Sequence, residues 1–552
     1  MTAAPATHAT ALLQRLVAQR PDAVAFIDGE RRITVAEFDA LVQRTAAWLA
    51  GRGVGRGDVV AVWLVNRLEW LALYFALARR GAALMTVNTR YRGAEVAYLL
   101  QKSRPKAFVL QLNFRKIDFP AVLREVDPAA AATVEQVWVV GAGDAEGALP
   151  ATVLGKPARA FDLAALPAAT VPDDSAPDAP SIFFTTSGTT SFGPLVVHTQ
   201  ATVARHVQRV ATTMGLDAPG AVLLAALPFG GVFGFDSTLG ALAGGAPIVL
   251  TPTFDAGETL RLIAAHAVTH FFGSDEMFEA VLALAPGDRS TPGWPLAGLR
   301  LCGYAAFRAG AAAVAEAACA RGLPMAGLYG SSEVHALFSI QAAPDPRIGF
   351  DRPLAQRLEG GGVPTNPAAE IRVRDVDTGA LLPPGQAGLL EIRSDSNFAG
   401  YLHHPEATAA AIDAEGFFRT GDIGLLRDGD PQGSFVYLTR HGDAIRLAGY
   451  LVAPADIEEE LKAAPGVASA QVVALDIAGK SRAVAFVIAQ PGATVDPAAV
   501  IAHAEARMAA FKVPARVWVV DAFPVVNSAN GTKIQRNKLR ELAQQRVAAE
   551  AG

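Results

Sequence analysis

Short apolar runs alternate with amphipathic runs through the first third of the chain, and this alternation constrains the fold more than any other feature. "AVAFIDG" (residues 23–29) reads as a strand closing in a turn. "TVAEFDALVQRTAAWLAGRG" (34–53) reads as a helix with Thr34 as its cap, Glu37 at the third helical position and glycines at its end. A strand ("DVVAVWLV"), a helix ("EWLALYFALARRGA"), a strand ("ALMTV"), a helix ("RGAEVAYLLQKS") and a strand ("KAFVL") come next. Strands separated by single helices at this spacing cross over in one direction, which predicts a parallel α/β sheet covered on both faces. In such sheets ligands bind in the loops at the carboxyl ends of the strands.

With 552 residues the chain is too long for one core. Residues 163–180, "LAALPAATVPDDSAPDAP", read as an exposed connector, after which the alternation resumes. From Ile371 the runs shorten and turns multiply, as in a β-rich subdomain. After "YLTRHGDAIRLAGY" a helix, two strands, a helix and a further strand suggest a compact C-terminal α+β domain. The expected fold class is therefore α/β. It has a large N-terminal domain (1–440, with its β-rich subdomain at about 365–440) of parallel-type sheets, and a small mobile C-terminal domain (441–552).

Several function classes fall away on composition. A net charge of −5 without a basic run argues against nucleic acid as a partner. The two cysteines, Cys302 and Cys319, lack metal-ligand or redox spacing and suit a reducing cytoplasm better than a disulfide scaffold. The N-terminus lacks the basic-then-apolar pattern of a secretory signal. Residues 218–235 are uncharged, yet six prolines and glycines would break a membrane helix there, so buried strands and turns are expected and no integral membrane segment. "VEQVWVVGAGDAEGALP" places Gly141, Gly143 and Gly147 after a strand, but the spacing is GxGxxxG and Pro150 stands where a helix should open, so a dinucleotide site is not supported.

The loop that carries chemistry is "TTSGTTS", residues 185–191, seven consecutive hydroxyl or glycine residues between two apolar runs. Hydroxyls and consecutive backbone N–H groups are what a phosphate cradle needs, although such a loop alone is more often a simple turn. It contains neither lysine nor arginine, and it is not the GxxxxGK[ST] loop.

Together with the strand after it, this loop resembles the phosphate-binding signature TSGTTGxPKxVxxTH of the adenylate-forming superfamily: acyl- and aryl-CoA synthetases, peptide-synthetase adenylation domains and luciferases. Residues 186–190 match, as do Val196 and Thr199, while Ser191 replaces a glycine, Gly193 a proline, and Pro194 the lysine. "LYGSSE" (328–333) resembles YGxTE, "RTGDIG" contains the TGD triad as Thr420, Gly421 and Asp422, and "TRHGDAIRLAGYLVAPADIEE" resembles GRxKDxIKxxGxxVxPxEIE. "NGTKIQR" resembles the closing GKIxR element. One such match arises by chance; five in order over about 350 residues do not.

The resemblance implies an acid–thiol ligase in which a carboxylate attacks the α-phosphate of ATP, giving an acyl-adenylate that then passes to coenzyme A. It implies that Thr185, Thr186, Ser187, Gly188, Thr189 and Thr190 cradle the outer phosphates. Ser332 would touch the α-phosphate and Glu333 hold Mg²⁺. Tyr329 would flank the adenine, Gly330 and Ser331 would belong to the same ATP/AMP-binding set, and Asp422 with Arg440 would border the ribose. Lys533 becomes the catalytic lysine bridging carboxylate and phosphate, so the charge missing from the loop comes from the other domain. Without that resemblance Glu333 would be a surface charge, Lys533 a solvated lysine, Asp422 a turn residue and Tyr329 a core residue.

Asp443 matches the hinge, and Arg446, Ala448 and Gly449 the coenzyme A tunnel, with Ala448 replacing one of two glycines. "LPFGGVFGF" (227–235) resembles the acid-binding segment PxxHxxG, with Gly231 at the histidine. The acyl pocket would draw on Phe229, Gly230, Gly231, Phe233, Gly303, Ala305, Ala336 and Leu337. Apart from Asp236 these segments carry no charge to pair with an amino acid, so an aryl, alicyclic or medium-chain acid is expected. Loading a carrier protein instead of coenzyme A, or a non-catalytic nucleotide-binding role, are the alternatives. A homodimer is compatible with all three.

Overall fold

The computed structural model describes residues 5–115, 117–141, 147–186, 193–305, 311–341, 354–430, 433–447, 450–477, 480–528 and 531–550. The expected alternation is present as the strand Val24–Asp28, the helix Val35–Ala50, the strand Val59–Trp63, the helix Leu68–Arg79, the strand Ala83–Thr86, the helix Gly93–Ser103 and the strand Ala107–Gln111. Thr34 caps the first of these helices in both directions. Its hydroxyl accepts from the Glu37 N–H at 3.2 Å, and its own N–H donates to the Glu37 carboxylate at 2.7 Å.

The strands form two large sheets. One has nine strands, parallel through its centre from Pro180–Thr185 to Lys156–Phe161, with antiparallel strands at both edges. The other has thirteen. It is parallel from Val24–Asp28 to Met325–Ser331, then antiparallel through His335–Ile340, Gly360–Pro364 and on to Glu370–Arg374. The β-rich stretch read from the sequence is thus an unbroken extension of the parallel ladder. The connector at 163–180 has one 3₁₀ turn, Leu163–Ala165, and is strapped down by Arg79 to Asp173 at 3.5 Å and by Arg56 to the Asp174 carbonyl at 2.9 Å.

Residues 218–235 depart in part from the expected strands and turns. A strand, Leu223–Ala225, is followed by a turn, and at Val232 a helix opens that runs to Gly244. This helix is buried nearly all round, so it has no polar stripe to betray it. Its glycines allow close approach: a Cβ on Gly234 would lie 2.2 Å from the Pro228 carbonyl oxygen, and one on Gly240 would lie 2.5 Å from Val210. Among the described residues no helix is long and apolar enough to cross a membrane.

Beyond Asp443 the chain builds an α+β unit with its own core, including Ile457, Val472, Ala485 and Val517. Val467–Ile477 pairs antiparallel with Lys480–Ala489, which pairs parallel with Arg516–Val519 on its other side, and the helices Pro454–Lys462, Pro497–Arg507 and Arg536–Glu550 complete it. A hairpin of Val525–Ser528 with Gly531–Ile534 carries Lys533 opposite Val526.

Candidate active site

The two sheets meet where the strand Pro180–Thr185 ends. The Ser332 hydroxyl, from the thirteen-stranded sheet, donates at 2.9 Å to the carbonyl of Thr185 in the nine-stranded one, and Thr185 Oγ1 shares a 2.8 Å hydrogen bond with the Tyr91 hydroxyl. This is the carboxyl end of a parallel strand, as expected of a ligand loop. Thr186 comes next, whereas Ser187, Gly188, Thr189 and Thr190 lie outside the described residues. Where the loop returns, Tyr98 donates to the Gly193 carbonyl at 3.1 Å, and Pro194 is half-buried.

The turn between Met325–Ser331 and His335–Ile340 presents the "YGSSE" residues. The Ser331 hydroxyl accepts the N–H groups of Glu333 (3.2 Å) and Val334 (3.4 Å). Gly330 has no alternative, because a Cβ there would stand 2.5 Å from the His335 carbonyl oxygen. The Tyr401 hydroxyl donates to Glu333 Oε1 at 3.1 Å, and burial together with this carboxylate pushes the Tyr401 phenol pKa up. Glu333 Oε2 makes no hydrogen bond among the described residues. A carboxylate oxygen free of other bonds is the kind of group that could hold Mg²⁺, which takes one or two carboxylates and completes its shell with water and phosphate oxygens.

Tyr329 is 7% exposed and donates to Asp422 Oδ2 at 2.6 Å, while Arg440 Nη1 lies 3.0 Å from Asp422 Oδ1. Asp422 and Arg440 are cross-strand partners in the ladder of Phe418–Leu426 with Phe435–Arg440, which fixes their pairing in the backbone. The Thr420 hydroxyl braces the turn by donating to the Leu390 carbonyl (2.8 Å) and accepting the Asp422 N–H (3.0 Å). Burial, then the Asp422 charge, raises the pKa of the Tyr329 phenol, so it remains a donor.

Asp443 sits just past Arg440, its N–H bonded to the Arg440 carbonyl at 3.0 Å and its carboxylate 3.8 Å from Arg536. Arg536 in turn grips the buried Glu458 through 2.6 and 2.9 Å contacts. Lys533 precedes Arg536 by three residues, on the hairpin strand, and Arg446 lies on the strand Ile445–Leu447. Ala448 and Gly449 lie outside the described residues.

Of the residues expected to line an acyl pocket, Phe229, Phe233, Ala336 and Leu337 belong to one apolar cluster. Phe229 packs on Trp70 (centroids 5.6 Å apart), its N–H donating to Asn66 Oδ1 at 2.8 Å, and Phe233 faces Phe272 at 6.4 Å. Gly231 caps the helix Val232–Gly244, and Ala336 and Leu337 come from the strand His335–Ile340, with Ala305 packed against the cluster. The room expected beside Gly303 is taken by the protein, since a Cβ there would meet the Phe272 ring at 2.5 Å and Leu328 at 2.8 Å. A Cβ on Gly230 would lie 3.4 Å from the Val87 carbonyl oxygen.

Sequence reasoning missed Tyr401, Arg536 and a buried cluster made of His198, His206, Asp236 and His335. Burial moves His206 and His335 down to about 3 and Asp236 up to about 7. Only the stray charge of Asp236 in an apolar segment hinted at it.

A family model described as AMP-binding enzyme matches residues 13–402, and one for the C-terminal domain of such enzymes matches 456–530. The chain is 30% identical over 544 residues to a (methyl-dioxo-octahydro-indenyl)propanoyl:CoA ligase of Mycobacterium tuberculosis, covering 96% of this chain and 98% of that one. It is likewise 30% identical over 538 residues to 4-coumarate–CoA ligase 5 of Oryza sativa subsp. japonica, with 95% and 92% covered. Among solved structures, ATP-bound MatB from Rhodopseudomonas palustris superposes with a TM-score of 0.78 at 26% identity, over 98% of this chain and 99% of that one.

Proposed function

Because the chain belongs to the AMP-binding enzyme family, we propose that it is an ATP-dependent carboxylic acid:CoA ligase working through an acyl-adenylate. The observation that carries this reading is the bonded set Tyr329–Asp422–Arg440 together with the Thr185–Ser332 seam, donors and acceptors suited to a nucleoside alongside a loop suited to phosphate. The relatives named as CoA ligases support coenzyme A over a carrier protein as acceptor.

In the first half-reaction a carboxylate oxygen forms a bond to the α-phosphorus while the bond to the bridging oxygen breaks and pyrophosphate leaves. Anion meets polyanion, so preorganised donors and cations lower the barrier. Residues 185–190 with Ser332 provide hydroxyl and N–H donors, Lys533 provides the cation between the two reactants, and Asp422 with Arg440 receives the ribose. Glu333, oriented by Tyr401, would hold Mg²⁺, which supplies charge neutralisation on the phosphates. In the second half-reaction the thiol sulfur bonds to the acyl carbon as AMP leaves. We assign residues 1–440 to nucleotide and acid binding and 441–552 to a domain that turns about Asp443, presenting Arg446, Ala448 and Gly449 to coenzyme A. The uncharged residues expected to touch the acid, Phe229, Phe233, Ala336 and Leu337 among them, favour an aryl, alicyclic or medium-chain acid. Unpaired Cys302 and Cys319 favour the cytoplasm.

The test is pyrophosphate release with ATP and Mg²⁺ across benzoates, cinnamates, cycloalkane carboxylates and C4–C14 fatty acids, each with and without coenzyme A. CoA-dependent turnover is expected with one acid class. A Lys533→Ala variant should lose at least about a hundredfold in adenylation while still passing a supplied acyl-adenylate to coenzyme A. Release that ignores coenzyme A would favour a carrier protein, and no release would favour a binding protein.

A further inference from the structure

His198, His206, Asp236 and His335 are each no more than 1% exposed, and they come from separate elements. Their rings form a stack: His335 lies 3.8 Å from His198 and 4.5 Å from His206, the latter pair parallel within 7°. Asp236 Oδ1 accepts from His335 Nδ1 at 3.1 Å. Two imidazoles and a carboxylate this close invite a metal ion. Each imidazole, however, binds a metal in its own ring plane, and the parallel planes of His206 and His335 do not meet on one ion. His206 Nε2 is moreover committed to the Ala336 carbonyl at 2.6 Å.

We propose that Asp236 and His335 are positioning residues that tie together the two walls of the acid pocket and so set the affinity for the carboxylic acid. One wall is the helix Val232–Gly244, where Asp236 lies a turn beyond Val232 and three residues beyond Phe233. The other is the strand His335–Ile340 with Ala336 and Leu337. Asp236 joins them directly, since its Oδ2 accepts the Ala336 N–H at 2.9 Å while Oδ1 holds the His335 ring. With His206 donating to the Ala336 carbonyl, both polar groups of Ala336 are clamped by buried side chains.

The clamp acts on strained backbone. His335 has φ 68° and Leu337 φ 58°, left-handed values that bulky residues adopt only when their surroundings impose them. Asp236 and His206 supply that constraint on either side of Ala336. On the nucleotide side Tyr329 is held by Asp422, Glu333 by Tyr401, and the Ser332 carbonyl by His198 Nε2 at 2.7 Å, and Asp236 bonds to none of these three residues. Loosening Asp236 therefore moves the acid wall and leaves the ATP contacts in place.

This inference rests on the ligase reading, with Ala336 and Leu337 lining the acid pocket. It is tested by acid-dependent ATP–pyrophosphate exchange on the purified full chain, using the best acid of the panel and recording KM for acid and for ATP separately. Asp236→Asn keeps an acceptor for Ala336 and should raise the acid KM about threefold to tenfold; Asp236→Leu removes both acceptors and should raise it about thirtyfold or more. KM for ATP should stay within about twofold in both. His335→Gly relieves the positive φ and should impair acid binding less than His335→Ala does. If Asp236→Leu does not fold, Asp236→Asn and the two His335 variants decide the matter by the same split. An unchanged acid KM, or equal rises in both constants, overturns the inference while wild-type exchange upholds the ligase. Absence of any acid-dependent exchange by the wild type overturns both.

Discussion

Tyr329 donates a 2.6 Å hydrogen bond to Asp422 across 93 positions of the chain, and neither side chain is more than 7% exposed. The bond spans the antiparallel extension of the larger sheet and fixes one carboxylate oxygen, while Arg440 fixes the other. Tyr329→Phe keeps the ring and its packing on Phe435 but removes this bond. A hydrogen bond to a charged group is worth about 1.5–3 kcal/mol, so kcat/KM for ATP should fall by about one to two orders of magnitude, with the acid KM little changed. An unaltered kcat/KM for ATP would make Tyr329 a core residue only.

Pro194 stands where the resembling signature has its loop lysine. Its replacement by lysine adds a cation to the end of the proposed phosphate loop, which has none among residues 185–194. The KM for ATP should drop severalfold, with a steeper dependence on salt. Steady-state kinetics at two ionic strengths checks this; an unchanged KM for ATP would show that the position does not face the phosphates.

Arg536 sustains a carboxylate that water does not reach, because the Glu458 side chain is 0% exposed. Removing one partner of a buried pair leaves an uncompensated charge and costs about 3–5 kcal/mol. Arg536→Met should therefore lower the urea midpoint of the C-terminal unit sharply. Arg536→Met combined with Glu458→Gln should recover much of the loss, and a failure to recover would locate the role of Arg536 at Asp443 instead.

His270 shapes acid stability. It is buried, donating from Nε2 to the Met214 carbonyl at 2.9 Å, and burial lowers its pKa from 6.5 to about 4. Below pH 6.5 the unfolded chain takes up a proton that the folded one refuses, so stability is lost as pH falls from 6.5 towards 4. The loss approaches about 3 kcal/mol from this group alone. His270→Asn should be less stable at pH 7 yet show a flatter acid limb in urea midpoints measured between pH 7 and 4.5. An equally steep limb would assign it to His198, His206 and His335.

The parts of the molecule legible in the sequence are those whose physics is local. A capping box such as Thr34 with Glu37 is written within four residues, and the strand–helix alternation arises from side-chain periodicity. The helix Val232–Gly244 escaped because burial on every side erases the polar face that marks a helix. Tyr401 with Glu333 and Asp236 with His335 are separated by 68 and 99 positions, and nothing local to any of the four announces its partner. Matched motifs identified the residues around the seam; only the fold shows that Ser332 reaches it from a different sheet than Thr185.

The short strand Gly400–Tyr401 pairs with Leu195–Thr199, covering the edge of the nine-stranded sheet through Val196 opposite Tyr401 and Val197 opposite Gly400. During synthesis that edge waits for about 200 further residues before its cover leaves the ribosome. At about 5–20 residues per second the nascent chain carries a bare apolar strand edge for roughly 10–40 s. Translation speed and chaperone supply, more than final stability, should then govern how much of this protein reaches its native state in an expressing cell.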